Sequence, residues 1–401
     1  MNIKPRKQYL EQIKPFIGKR MIKVLTGSRR VGKTTILLQL REYIQQADSL
    51  SNIVYIDKEL YEFKDIKNNE DLYGWVNNHI RKIKNNYIFI DEIQEITDFE
   101  IALRQLFSKG YDIYCTGSNA RMLSGDLATY LTGRYIEFRI SSLSYPEFLE
   151  FHLLPKNNES LLKYTRYGGL PYLIHLELTD EIVYGYLRSI YNTIVLKDVV
   201  ARYNIRDIDF LERLTEYLSD NLGRYISSKK ITDFLKSQRI TLSVNTVLNY
   251  LQYLGNAFFI QKVPRYDIQG KKRLEVNDKY YFNDLGLKHA IIPYKTDDIG
   301  KVFENLVYNH LVNRGFKVYV GKLQNLEIDF VAQKGGETKY IQVTYLLSGP
   351  DAIGREFGNL LKIKDNYEKI VVSADELTRG NYKGIKHVHI LDFLTRTEDV
   401  Q

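Results

Sequence analysis

Residues 26–35 read Thr26-Gly27-Ser28-Arg29-Arg30-Val31-Gly32-Lys33-Thr34-Thr35, which satisfies the spacing G-x-x-x-x-G-K-[ST]. This spacing constrains the fold because it works only with a strand before it and a helix after it. Ile22, Val24 and Leu25 supply a buried strand, and Ile36, Leu37, Leu40 and Ile44 recur as one helical stripe. Between them the chain must turn tightly at Gly27 and aim backbone N–H groups at phosphate oxygens, where side chains would intrude. The positive end of the following helix adds to that field. Gly27, Ser28, Arg29, Arg30, Val31, Gly32, Lys33, Thr34 and Thr35 are therefore expected to bind ATP. Lys33 reaches the β- and γ-phosphates and Thr34 offers its hydroxyl to Mg²⁺.

A chain of 401 residues is too long for one core, and two to four domains is the ordinary expectation. With 44% hydrophobic and 26% charged residues the composition is that of a globular protein. No segment approaches about eighteen uninterrupted apolar residues, and Met1-Asn2-Ile3-Lys4-Pro5-Arg6-Lys7 lacks an apolar signal region. The expectation is a cytoplasmic protein with no membrane partner. Cys115 is the single cysteine, so an intramolecular disulfide and a cysteine-based zinc cluster are both excluded. A formal charge of +8 allows an anionic partner without identifying one.

Three further strand-like runs follow the loop. Asn52-Ile53-Val54-Tyr55-Ile56-Asp57 suits a parallel strand covered on both faces, which brings Asp57 and Glu59 to the carboxyl edge near the nucleotide. Tyr87-Ile88-Phe89-Ile90-Asp91-Glu92 resembles the Walker B element of P-loop ATPases. There Asp91 holds Mg²⁺, and Glu92 orients and deprotonates the attacking water. The last run, Asp112-Ile113-Tyr114-Cys115-Thr116, ends in Gly117-Ser118-Asn119. In the additional-strand class of these ATPases a polar residue at this strand end contacts the water or the γ-phosphate. Asn119 resembles it, Ser118 is the second choice, and a cap for a helix at Ala120-Arg121-Met122-Leu123 explains the same residues equally well.

Arg29-Arg30 in the loop, Asp91-Glu92-Ile93-Gln94, Gly117-Ser118-Asn119, Leu131-x-Gly133-Arg134 and Leu143-Ser144-x-x-Glu147-Phe148 together resemble one prokaryotic family. It comprises archaeal and bacterial AAA-type ATPases with a C-terminal domain of unknown function, and the similarity covers essentially the whole chain. The resemblance implies an α/β fold: a P-loop parallel sheet of the additional-strand type, a helical region, a winged helix and a small α/β nuclease-like domain. It also implies a catalytic role for Arg134 as an arginine finger, in cis or from a neighbouring subunit of a homo-oligomer. The expected division is 1–152 for the ATPase domain, 153–205 for a helical lid or linker, 206–292 for the winged helix and 293–401 for the nuclease-like domain.

Within 206–292, Phe210-Leu211-x-x-Leu214-x-x-Tyr217-Leu218, residues 228–235 and residues 243–254 read as three helices. Two strands follow at 257–263 and 279–282, with Gly270-Lys271-Lys272-Arg273 between them as a basic wing. In the third helix Val244, Val247, Leu248, Leu251 and Leu254 are expected to face the core, leaving Asn245, Asn249 and Gln252 on the open face. Amides can read adenine edges, and Lys271, Lys272 and Arg273 can neutralise phosphates. The third helix carries no cation of its own, which weakens the case for DNA and leaves a protein-contact role open.

The last unit is similar to the PD-(D/E)xK nuclease fold, with Glu304 on its first helix, Asp329 on the central strand and Gln342-Val343-Thr344 as the third motif. Nuclease chemistry needs acids for Mg²⁺ and a lysine beside them. Here the acid position holds Gln342 and the lysine position holds Thr344, while Lys339 is an odd number of strand residues away and faces oppositely. A nuclease-like scaffold with a degenerate site is expected. The combined reading is an Mg²⁺-dependent ATPase that acts on DNA or is regulated by it. The alternatives are an ATP-driven signalling or assembly switch whose winged helix makes protein contacts, and an ATP-regulated metal-dependent nuclease.

Overall fold

A computed structural model describes residues 4–83, 85–120, 131–237, 243–347, 350–375 and 380–396. The expected helix start at Arg121-Met122-Leu123 and the residue Tyr130 lie outside the described residues. The chain forms two compact units, Met1–Ser141 with Asn256–Phe258, and Ser142–Gly255 with Phe259–Gln401. No described helix is long and apolar enough to cross a membrane.

The first unit is built on five parallel strands: β1 (Ile22–Thr26), β2 (Asn52–Asp57), β3 (Asn86–Asp91), β4 (Asp112–Gly117) and β5 (Tyr135–Arg139). Their order is β2-β3-β4-β1-β5, so β4 is inserted between β1 and β3. Ile22, Val24, Ile88, Ile90, Ile113 and Cys115 are fully buried, as strands covered on both faces must be. The helices Lys33–Ala47, Asn69–His79 and Phe99–Ser108 carry the crossovers. Parallel pairing aligns every carboxyl end on one edge: Thr26 opposes Gly117 and Arg139, and Asp57 opposes Asp91. That shared edge is where an α/β sheet places its ligand.

The second unit has helices from Tyr145–His152 to Val244–Asn256, followed by β6 (Ile260–Asp267), β7 (Lys272–Phe282), the helices Leu285–Ile291 and Ile299–Asn313, and β8 (Lys317–Leu323), β9 (Leu326–Lys334) and β10 (Glu337–Val343). The helix Pro350–Leu361, β11 (Glu368–Ser373), β12 (Gly380–Tyr382), β13 (Ile385–His389) and the helix Ile390–Thr395 complete it. Its eight strands form one sheet in the order β12-β13-β11-β10-β9-β8-β6-β7.

Three features differ from the sequence reading. The first unit ends at Ser141, where 152 was expected: the Leu143 N–H donates to the Gly169 carbonyl at 2.7 Å, and the Phe148 and Tyr164 rings meet at a tilt with centroids 5.1 Å apart. Apart from Asn256–Phe258, the segments 153–205, 206–292 and 293–401 share one compact unit. Gly286 helps join them, since a Cβ there would stand 2.0 Å from the Tyr167 carbonyl oxygen.

The basic hairpin, secondly, is no free wing: β6 pairs in parallel with β8, with Tyr266 opposite Gly321, so the hairpin is the edge of the large sheet. Thirdly, Val244 and Leu248 are exposed, and Tyr250 takes a core position against the Phe210 ring at 4.8 Å.

Candidate active site

The loop after β1 is shaped by Gly27, whose φ of 148° and a distance of 2.1 Å from a built Cβ to the Ile140 carbonyl oxygen leave no room for a side chain. Gly32, at φ 94°, opens the helix Lys33–Ala47. The Lys33 ammonium donates to the Gly27 and Ser28 carbonyls at 3.1 and 2.9 Å and lies 3.6 Å from Glu92 Oε1. Ser28 Oγ is buried without a hydrogen-bond partner among the described residues, and the Arg29 guanidinium is 3.3 Å from the Glu59 carboxylate.

Asp91 and Glu92 end β3 beside this loop, and β4 organises both. The Thr116 hydroxyl donates to Asp91 Oδ1 and accepts the Glu92 backbone N–H at 2.9 Å. Thr34 also bonds the Asp91 carboxylate. Burial pushes the Asp91 carboxyl up to about 6, against the bonds from Thr116 and Thr34, with Glu92 and Asp57 adding repulsion.

Burial would raise Glu92 too, but the Lys33 ammonium, the Gln94 amide, the Arg29 guanidinium and the Ser118 hydroxyl outweigh it and hold the carboxyl below its ordinary value. Ser118 Oγ donates to Glu92 Oε2 at 3.0 Å, and the Gln94 amide bonds the same oxygen. Glu92 itself sits at φ 51°, in the left-handed region that a non-glycine residue occupies at a cost of order 1–3 kcal/mol, a form of strain concentrated at functional sites.

The donors near the loop are oxygens of Thr34 and Asp91, the hard set that Mg²⁺ takes alongside phosphate and water. The orphaned Ser28 hydroxyl and the Gly27 turn fit a phosphate chain between them. Asn119 is buried directly after Ser118, whose hydroxyl bonds Glu92. Thr116 escaped the sequence reading, because its role depends on β4 lying against β3.

Arg134 is not brought to this edge. Its carbonyl accepts from the Ile22 N–H at 2.8 Å, which places it at the amino edge of the parallel β1–β5 pair. Five strand residues at about 3.3 Å each put it roughly 16 Å from the loop edge. The guanidinium instead lies over the Phe107 ring at 5.9 Å. A finger in cis is therefore corrected by strand direction.

In the second unit, Asn245, Asn249 and Gln252 are exposed, as are Lys271 and Lys272 at the hairpin tip. Arg273 donates to the Tyr319 hydroxyl at 2.6 Å. Glu304 and Asp329 are buried, Gln342 accepts the Asp329 N–H at 3.3 Å, and Thr344 lies past the end of β10.

An AAA domain model matches residues 19–149, and a model described as a domain of unknown function (DUF8612) matches residues 158–298. An uncharacterized protein of Haemophilus influenzae is 37% identical over 399 residues, covering 97% of this chain and 98% of that protein. The chain belongs to the AAA-type P-loop ATPase family that carries this second domain. An uncharacterized relative from Methanocaldococcus jannaschii is 31% identical over 82% of this chain and 75% of its own length. The AAA protein's fold is also similar to that of the Walker-type ATPase PABY2304 of Pyrococcus abyssi, with a TM-score of 0.50 at 15% identity over 72% of this chain and 96% of that one.

Proposed function

We propose that the chain hydrolyses ATP in an Mg²⁺-dependent reaction coupled to conformational change, and that DNA is the partner on which it acts or by which it is regulated. The observation that carries the hydrolytic half is the convergence of Lys33, Thr34, Asp91 and Glu92 on one sheet edge, with Lys33 Nζ 3.6 Å from Glu92. Thr34 and Asp91 would hold magnesium, which when bound neutralises phosphate charge. Loop N–H groups and Lys33 bind the phosphates, so negative charge developing on the γ-phosphoryl meets fixed positive groups. Glu92, kept ionised by its neighbours, accepts the proton of the attacking water. Ser118 and Gln94 orient that carboxylate, and Asn119, the residue after Ser118, serves as the sensor of the γ-phosphate.

The net charge of +8, the exposed amides of Asn245, Asn249 and Gln252, and the exposed Lys271 and Lys272 support the DNA half. A second reading, an assembly switch making protein contacts, is favoured by Val244 and Leu248, whose 40% and 45% exposure adds apolar surface to the same helix. ATP turnover with and without duplex DNA at two salt concentrations separates them. DNA action predicts stimulation that weakens with salt through counterion release. Absence of DNA binding at low salt supports the switch.

A further inference from the structure

A charge cluster in the second unit lies where β7, β9 and the helix Ile299–Asn313 meet. Lys279, on β7, has a side chain only 3% exposed, and its ammonium is 2.7 Å from Glu304 Oε1 and 2.6 Å from Glu327 Oε1. The Tyr281 hydroxyl donates to the same Glu304 oxygen. Over the other oxygen, Oε2, lies Gly223, where a built Cβ would come within 3.1 Å. Asp329 Oδ2 accepts the Val343 N–H at 2.8 Å.

A divalent cation needs several oxygens with lone pairs turned to one open position. Glu304 Oε1 is already taken by two donors. Among the described residues, no group of three or more His, Cys, Asp or Glu side chains is placed to hold a metal ion. Gln342 Oε1 accepts the Asp329 N–H, and Thr344 lies past the end of β10 with its hydroxyl donating to the Leu346 carbonyl.

We propose that the Lys279 ammonium occupies the place of the metal ion that the Glu304 and Asp329 constellation would otherwise take. The inference rests on reading those two acids as the counterparts of a nuclease site. The C-terminal sheet is then a self-neutralised scaffold and not a metal-dependent phosphodiesterase, and loss of the ammonium uncovers a latent cation site.

The test titrates the full chain, without nucleotide, with Mn²⁺ and follows free manganese by electron paramagnetic resonance. Native protein and Glu304→Gln should bind manganese alike. Lys279→Ala should gain one ion at least tenfold tighter than any native site, and Lys279→Ala/Asp329→Asn should lose it. Native binding that Glu304→Gln removes overturns the proposal, and so does a folded Lys279→Ala with no gain. Should Lys279→Ala fail to fold by circular dichroism, the comparison of native protein with Glu304→Gln decides alone. Mg²⁺-dependent DNA cleavage by native protein that Glu304→Gln abolishes also overturns it.

Discussion

The Ser118 hydroxyl donates to Glu92 Oε2 at 3.0 Å, linking the end of β4 to the acid that ends β3. A hydrogen bond to a charged group is worth about 1.5–3 kcal/mol. Ser118→Ala should therefore leave ATP affinity unchanged and lower kcat by about tenfold. Because Ser118 helps hold the Glu92 carboxyl down, its loss should also move the acid limb of the kcat–pH profile upward. Steady-state turnover across pH measures both effects.

Asp91 gives a pH dependence of opposite sign. Its folded-state value near 6 lies above the ordinary 3.8, so folding favours the protonated form. In nucleotide-free protein this group's stabilisation is complete below about pH 4 and is lost as pH rises to about 6, a change of roughly 3 kcal/mol. Asp91→Asn should flatten that part of the stability curve and stabilise the nucleotide-free protein at pH 7 while weakening Mg²⁺-ATP binding. Urea denaturation at several pH values, paired with calorimetric titration of Mg²⁺-ATP, checks both halves.

Strand direction makes a prediction for Arg134. With its carbonyl bonded to the Ile22 N–H at the amino edge, Arg134 lies away from the nucleotide edge of its own chain, so any part in the chemistry requires a neighbouring subunit. Arg134→Ala should leave ATP affinity and turnover of the monomer unaltered. If subunits assemble, turnover per chain should rise with protein concentration for the native chain and stay flat for the variant. Turnover across a dilution series, with mass measured by light scattering, is the check.

The local parts of this centre were legible in the chain. Gly27, Lys33 and Thr34 follow from spacing, and Asp91 with Glu92 from an apolar run that stops at two acids. Contacts made by sheet order were not legible. Thr116 acts because β4 is inserted next to β3, and nothing near it announces that neighbour; Ser118 is the second choice for the strand-end contact, but its bond to Glu92 depends on the same insertion. Arg134 is a different case: its role as a finger comes from the resemblance, whereas the start of a strand in a parallel sheet lies at the amino edge, away from the loop. The hairpin around Lys271 has ordinary turn chemistry, yet its attachment to β8 joins Tyr266 to Gly321 across a long stretch of chain. Val244 and Leu248 kept the right helical period, but Tyr250 rotated the buried face.

In the proposed mechanism Glu92 activates water at a nucleotide held by Lys33 and the loop. The most direct measurement of this step pairs calorimetric ATP affinity with turnover for Glu92→Gln, using Lys33→Ala as the reference for lost binding. Glu92→Gln should bind ATP as the native chain does and lose turnover by about a hundredfold or more, the usual scale of a general base. Native-like turnover in Glu92→Gln, or native-like ATP affinity in Lys33→Ala, would contradict the assignment.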